Sequence, residues 1–436
     1  MSLVGRSEYI ETKVGWIPDT WFVCSLEKIS TDTITYGVVQ PGPEDENGVP
    51  LVRGGDIKDG RISNTLRTIS SAVSKQFSRT VLRGGELLVS LVGYPGETAI
   101  VSKELIGANI ARQVGLIRLG EAVSSRFVQQ YLSSPIGKKI LLGGMIGSAQ
   151  QVINLNALRE VDVPLPPLPE QRKIAAILTA VDDKLDVIAR QIDATQTLKQ
   201  GLMQTLFSRG VGTQDATGRW SPHTEFKDSE LGTIPSLWSI KEIGEALSVV
   251  ERPIKMEDDQ LYRRVTVKRR YGGVELRDEL HGANIKVKNQ FLLEAGDFLI
   301  SERQIVHGAC GIVPEHLAGA LVSNEYLVLQ AKEGFDVTHF NYLVQLLKYA
   351  KLFLVCSQGV DIEKFLFKPK DWLKKRIPVP PLAEQQRIAE ILGASEKKTN
   401  ALQRKQSEYQ NLKRGLMQKL LTGEWRVKLD SPSGIA

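Results

Sequence analysis

Residues 163–178 (VPLPPLPEQRKIAAIL) recur 214 positions later as residues 377–392 (IPVPPLAEQQRIAEIL), identical at ten of sixteen positions. At the same offset residues 198–204 (LKQGLMQ) return as 412–418 (LKRGLMQ), and the segment 15–21 (GWIPDTW) is echoed at 232–238 (GTIPSLW). Three segments repeated in one order mean that the chain is two copies of one architecture. Similarity fades between these anchors, so the copies share their beginnings and ends and differ in their interiors.

Each copy closes on a pattern that predicts a long helix. Proline is accepted in a first helical turn because its missing N–H has no intrahelical partner there, and Glu170 or Glu384 suits the positive end of the dipole. No proline or glycine interrupts residues 170–200; Gly201 and Gly415 then hold equivalent places, and the second copy also carries Gly393. The first apolar stripe is Ile174, Leu178, Val181, Leu185, Ile188, Ile192, Leu198, Leu202 and Leu206, a three–four spacing with one slip after Ile192. The second is Ile388, Leu392, Ser395, Thr399, Leu402, Gln406, Tyr409, Leu412, Leu416 and Leu420, in the same register with a more polar middle. Helices of ~38 residues run about 57 Å. A stripe that long outruns a single small domain, so the two helices are expected to pair with each other.

The interiors read as short β-like stretches broken by Gly, Pro and Asp, at 33–39, 86–92 and 99–102 in the first copy and at 264–267, 297–301 and 321–329 in the second. Helical patterns fall near 125–132 and 337–347. Each interior is expected to be a mixed α/β domain of ~150 residues, giving an α+β chain. Its segments are 1–162, a helix over 163–208, an irregular Gly/Ser/Thr/Asp-rich connector over 209–231, 232–376, a helix over 377–422, and a tail over 423–436 that begins as a short ordered cap. Trp16, Trp21 and Trp238 are expected in the cores, and Gly54, Gly55, Gly272 and Gly273 in turns.

Composition narrows the setting. With 42% hydrophobic and 24% charged residues a packed core is available. The opening residues carry no apolar stretch of a secretory signal, and no run approaches the ~18 residues of a membrane span. Three cysteines, Cys24, Cys310 and Cys356, are odd in number and widely spaced, which suits neither a disulfide framework nor a zinc site. A reduced, cytoplasmic setting is expected. Net charge is +6, from 56 bases and 50 acids, a weak lean toward a polyanionic partner.

Catalytic apparatus is missing from the sequence. There is no Asn/Asp-Pro-Pro-aromatic motif, no Gly-rich turn suited to S-adenosylmethionine and no Walker A pattern, since Gly137-Lys138 lacks the upstream glycine. The five histidines (His223, His281, His307, His316 and His339) show no metal-ligand or nucleophile spacing. Glu396-Lys397-Lys398 fits a nuclease E-x-K superficially but falls on the second helix, where it reads as solvated surface.

Two variable domains, each followed by P-x-P-P-L-x-E-Q and a long helix ending L-K-x-G-L-M-Q, resemble the specificity subunit of type I restriction–modification systems. Residues 50–61 (PLVRGGDIKDGR) and 147–154 (GSAQQVIN) also resemble that family's recognition segments; the second copy departs at both, with 262–273 far more basic and 359–367 lacking the Ser-x-Gln pattern. The resemblance implies two target-recognition domains held apart by an antiparallel coiled coil, each domain reading half of a split, asymmetric sequence in double-stranded DNA. It further implies docking of two methyltransferase subunits and of motor-nuclease subunits. This chain would be non-catalytic and free of cofactor and metal, with S-adenosylmethionine, ATP and Mg on the partner subunits.

Base edges are read by Arg, Lys, Asn and Gln, and phosphates are held by Lys, Arg, Ser, Thr and backbone amides. The candidates in the first domain are Arg53, Lys58, Arg61, Tyr94, Arg112 and Gln150, all near glycine-containing turns. In the second they are Arg263, Arg264, Lys268, Arg269 and Arg270, the densest basic cluster of the chain, with Arg303 and His307. Helix pairing is assigned to Leu178, Val181, Leu185, Ile188, Ile192, Leu392, Leu402, Tyr409, Leu412 and Leu416. Two other classes stand beside this reading: a self-sufficient restriction or methylation enzyme, which methyl transfer by the isolated chain would reveal, and a coiled-coil scaffold with unrelated ends, which salt-sensitive duplex binding would exclude.

Overall fold

The computed structural model describes residues 8–143, 152–359 and 365–429. The chain divides into two compact units, residues 1–189 with 404–436, and residues 190–403. Both boundaries fall inside a long helix, Leu168–Arg209 (the central helix) and Leu382–Leu420 (the C-terminal helix). Each unit therefore holds one globular domain, the start of one helix and the end of the other.

In the first unit a four-stranded antiparallel sheet runs in the order Thr98–Ile100, Leu87–Ser90, Val114–Ile117, Thr35–Tyr36. The second unit has the same order in Cys310–Ile312, Phe298–Ser301, Tyr326–Ala331 and Leu247–Val249. Corresponding bonds close both hairpins: Gly85 N donates to Val101 O and Gly296 N to Val313 O, each at 2.9 Å. The repeat thus continues through interiors whose sequences have diverged, because the core of these strands is specified by apolar character rather than identity. A smaller sheet flanks each: Asn109–Ile110, Val49–Val52 and Arg67–Ile69 in the first unit, and Val274–His281, Leu261–Val267, Leu321–Ser323 and Gln290–Leu292 in the second. The strand Val274–His281 has no counterpart in the sequence reading. Half of its sequence, VELRDELH, is charged, and it holds its place by pairing along Leu261–Val267. The expected stretch 321–329 is two strands in different sheets.

The Glu-Gln pair at each helix start is buried and joins three parts of its unit. Gln171 donates from Nε2 to Pro166 O and accepts from Ser124 N, each at 2.8 Å. Gln385 repeats this with Pro380 O and Asp336 N, also at 2.8 Å. Ser124 and Asp336 are the N-caps of the short helices Ser125–Ser133 and Val337–Leu343, so each glutamine fixes a domain helix against a long one. Glu170 accepts from Trp21 Nε1 at 3.3 Å and from Arg426 at 2.8 and 2.9 Å. Glu384 accepts from Trp238 Nε1 at 2.8 Å, His223 Nε2 at 2.9 Å, Val211 N at 2.8 Å and Gly212 N at 3.0 Å. A carboxylate taken out of water needs such donors; each glutamate takes one from a core tryptophan and others from the chain just after the other helix, Arg426 for Glu170 and Val211 and Gly212 for Glu384. Gly210 and Gly423, in the left-handed region at φ 70° and 71°, end the two helices and aim those segments back.

Several expectations change here. The connector is ordered: Thr213–Gln214 pairs with Trp220–Ser221, and Phe226–Lys227 with Ile234–Pro235. Trp21 and Trp238 are core residues, but Trp16 lies on an outer hairpin and is 43% exposed. Leu198 (59% exposed) and Leu412 (49%) leave the seam. Thr195 and Lys199 take the first helix through without a slip, and Lys413 replaces Leu412 in the second, so both stripes keep the four–three alternation throughout. Of the other pairing residues, Leu178, Val181, Ile188, Ile192 and Leu392 are buried, and Leu185, Leu402, Tyr409 and Leu416 are half-buried.

Candidate nucleic-acid interface

In the first unit three turns adjoin at one end of the four-stranded sheet. The Arg53-Gly54-Gly55 turn lies so close to the loop after Leu87–Ser90 that a Cβ on Gly54 would stand 2.2 Å from Val92 O and 3.3 Å from Gln113 Cβ. Leu91 N donates to Gln113 O at 2.8 Å, and Ala111 N to Val52 O at 2.9 Å. These contacts bring Arg53, Tyr94 and Arg112 onto adjoining loops, all three exposed. Arg53 is already oriented by two 3.0 Å bonds to Asp56, which raise its guanidinium further above its ordinary pKa. Lys58 and Arg61 occupy a separate small hairpin, Ile57–Lys58 with Arg61–Ile62. Lys58 is exposed there, whereas Arg61 is ion-paired with Asp186 on the central helix. Gln150 lies outside the described residues, as does most of the segment 147–154.

In the second unit the corresponding loop, between Phe298–Ser301 and Cys310–Ile312, meets the tip of the long hairpin. Arg270 N donates to His307 O at 2.7 Å and Tyr271 N to Gly308 O at 2.8 Å. Arg269 Nε donates to Gln304 Oε1 at 2.8 Å. Lys268, Arg269, Arg270, Arg303 and His307 are thereby assembled on one edge. Arg263 and Arg264 are not part of it. Arg263 donates to His316 O at 2.9 Å and Ala318 O at 2.7 Å. Arg264 makes a two-pronged pair with Asp278 at 2.8 and 2.7 Å, which holds that carboxyl below its usual range.

The cluster is also less basic than it reads in sequence. Glu275 stands 2.5 Å from Lys268, and Glu325 stands 2.7 Å from Arg303. Arg264 and Asp278 are direct cross-strand neighbours, a pairing that appears in the sequence only once the hairpin register is known. Asp56, Gln304, Tyr271 and Asp278 were missed for the same reason: each acts by holding a candidate, and no spacing announces that.

Among the described residues no group of His, Cys, Asp and Glu could hold a metal ion, and no helix is long and apolar enough to cross a membrane. Two homologous sheets, each presenting a cationic loop edge of different composition and joined through paired long helices, define a two-domain DNA-specificity architecture. The family model of the type I restriction modification DNA specificity domain matches residues 40–196 and again residues 235–410, more than half of the chain, and the chain belongs to that family. It is a specificity subunit with DNA-recognition domains, the non-catalytic component of such systems.

A Methanocaldococcus jannaschii protein named as the specificity subunit of the type I restriction enzyme MjaX is 28% identical over 446 residues, covering 97% of this chain and 98% of its own. The EcoBI specificity subunit of Escherichia coli is 32% identical over 208 residues, 47% of this chain and 44% of its own. In fold the chain is similar to the S subunit of a type I restriction–modification system from M. genitalium, at a TM-score of 0.56 and 15% identity over 92% of this chain and 96% of that one.

Proposed function

We propose that each unit reads one half of a bipartite, asymmetric DNA target, and that the paired helices set the unread spacer and dock two methyltransferase subunits and the motor-nuclease subunits. The observation that supports this is the shared placement of two unlike loop sets: Arg53, Tyr94 and Arg112 in one unit, Lys268–Arg270 with Arg303 and His307 in the other, each gathered around the equivalent hairpin of the equivalent sheet. One frame with two different reading edges suits two different half-sites. S-adenosylmethionine, ATP and Mg would be brought by the partner subunits, and the complex would work in the cytoplasm.

Methylome sequencing of cells expressing the chain with its cognate methyltransferase tests this. A single split motif is expected, and replacing residues 1–160 by those of a relative should change one half of it. Methylation without a split motif would overturn the reading.

A further inference from the structure

Five of the seven basic candidates in the second unit are engaged by the protein itself: Arg263 by two carbonyls, Arg264 by Asp278, Lys268 by Glu275, Arg269 by Gln304 and Arg303 by Glu325. Arg270 differs. It sits at the tip of the long hairpin, its side chain is exposed, and it makes no ion pair or side-chain hydrogen bond among the described residues. Yet its backbone is among the most constrained in the unit. Arg270 and Tyr271 both take positive φ, 58° and 56°, a conformation that costs an L-residue about 1 kcal/mol or more and persists only where surroundings enforce it. The enforcement is visible: both amides donate to the neighbouring loop, at His307 O and Gly308 O, and the Tyr271 ring lies where a Cβ on Gly308 would be 3.0 Å away. A long cation on a rigid base, with no partner among the described residues, is placed to find one elsewhere.

We propose that Arg270 is a base-reading residue of the second half-site, that the base it reads is a guanine, and that Tyr271 and Gly308 are its positioning residues. This rests on the reading of that edge as a DNA interface. Phosphate contacts tolerate a flexible point charge, and the lysines and paired arginines nearby can supply them. Base readout needs a fork held in one place, and the guanidinium fits O6 and N7 of guanine in the major groove through two parallel bonds. Gly308 leaves room for the tyrosine ring, and the ring in turn buttresses the turn that aims Arg270.

The test uses the chain assembled with its cognate methyltransferase, with the methylated motif and salt-dependent duplex binding read for each variant. In Arg270→Ala and Arg270→Lys one G·C position of the second half-site is expected to become degenerate, with discrimination there falling about ten- to hundredfold. The first half-site should not change. Arg270→Lys keeps the charge and should keep the salt slope, which separates lost readout from lost phosphate contact. Gly308→Ala should relax the same position with unchanged salt dependence. Uniform weakening across sequences with a slope smaller by about one would make Arg270 a phosphate contact and overturn the proposal, as would an unaltered motif. If Lys268→Glu, Arg269→Glu and Arg270→Glu together leave duplex binding intact, the interface itself is misplaced. Unchanged assembly with the methyltransferase and a single cooperative thermal transition establish that each variant is folded.

Discussion

Lys413 Nζ stands 2.6 Å from Asp182 Oδ1, and Lys199 Nζ stands 3.5 Å from Glu396 Oε2, two ion pairs related by the same 214-residue offset and each joining one long helix to the other within its own unit. The acids are shared further: Asp182 accepts from Gln130 Nε2 at 2.8 Å, and Glu396 accepts from Tyr342 OH at 2.7 Å. Each therefore ties a domain helix and the opposite long helix to one side chain. Reversing one charge, in Asp182→Lys, should destabilise the first unit, and Asp182→Lys with Lys413→Asp should recover most of the loss. A double-mutant cycle on urea unfolding should give a coupling of about 1 kcal/mol, since these groups are only partly buried.

The buried glutamates should be unequal. Glu384→Ala leaves Trp238 Nε1, His223 and two backbone amides without an acceptor, and should cost about 3 kcal/mol. Glu170→Ala should cost about half that, because Arg426 is partly exposed and can turn to water while only Trp21 is stranded. Thermal or urea unfolding of the two variants side by side checks the ranking.

His339 is fully buried on the short helix Val337–Leu343, its ring 5.0 Å from that of Phe207, and burial lowers its pKa to about 3. The unfolded chain takes up a proton there near pH 6.5. Stability is thus at its full value above pH 6.5 and is lost as pH falls from there toward about 3, by up to roughly 1.4 kcal/mol per pH unit. His339→Phe should flatten this dependence. A variant with the same acid sensitivity between pH 7 and pH 5 would assign the loss to other groups.

Because both seams alternate four and three without a break, an insertion meant to lengthen the helices should respect the heptad. Seven residues in each helix add about 10 Å and should widen the unread spacer by about three base pairs. Four residues in each should disturb the seam and cost stability. Methylome sequencing reads the spacer directly; an unchanged spacer with intact assembly would end the ruler idea and leave the recognition role standing.

The frame was legible because it repeats. P-x-P-P-L-x-E-Q gave both helix starts, although the buried roles of Glu170, Gln171, Glu384 and Gln385 were hidden: a capping position and a buried junction use the same residues. The sequence misplaces Leu198 and Leu412 in the seam because apolar spacing hides what the register demands there: Thr195, whose hydroxyl bonds back to Gln191 O, and Lys199 and Lys413, ion-paired across the helices. At the loops the sequence listed cations but not their partners. Arg264, Lys268 and Arg303 are neutralised by acids 7 to 22 positions away, and only the fold brings those together.

The clasp on Glu170 has a consequence for biosynthesis. Its guanidinium partner, Arg426, lies 256 residues further along the chain, and Gly423, whose carbonyl accepts from Tyr9 OH at 2.9 Å, lies 414 residues from that tyrosine. The second unit, by contrast, spans one uninterrupted stretch, 190–403. A ribosome delivering residues in order therefore completes the second unit before the first, whose edge stays unfinished until Gly423 and Arg426 emerge.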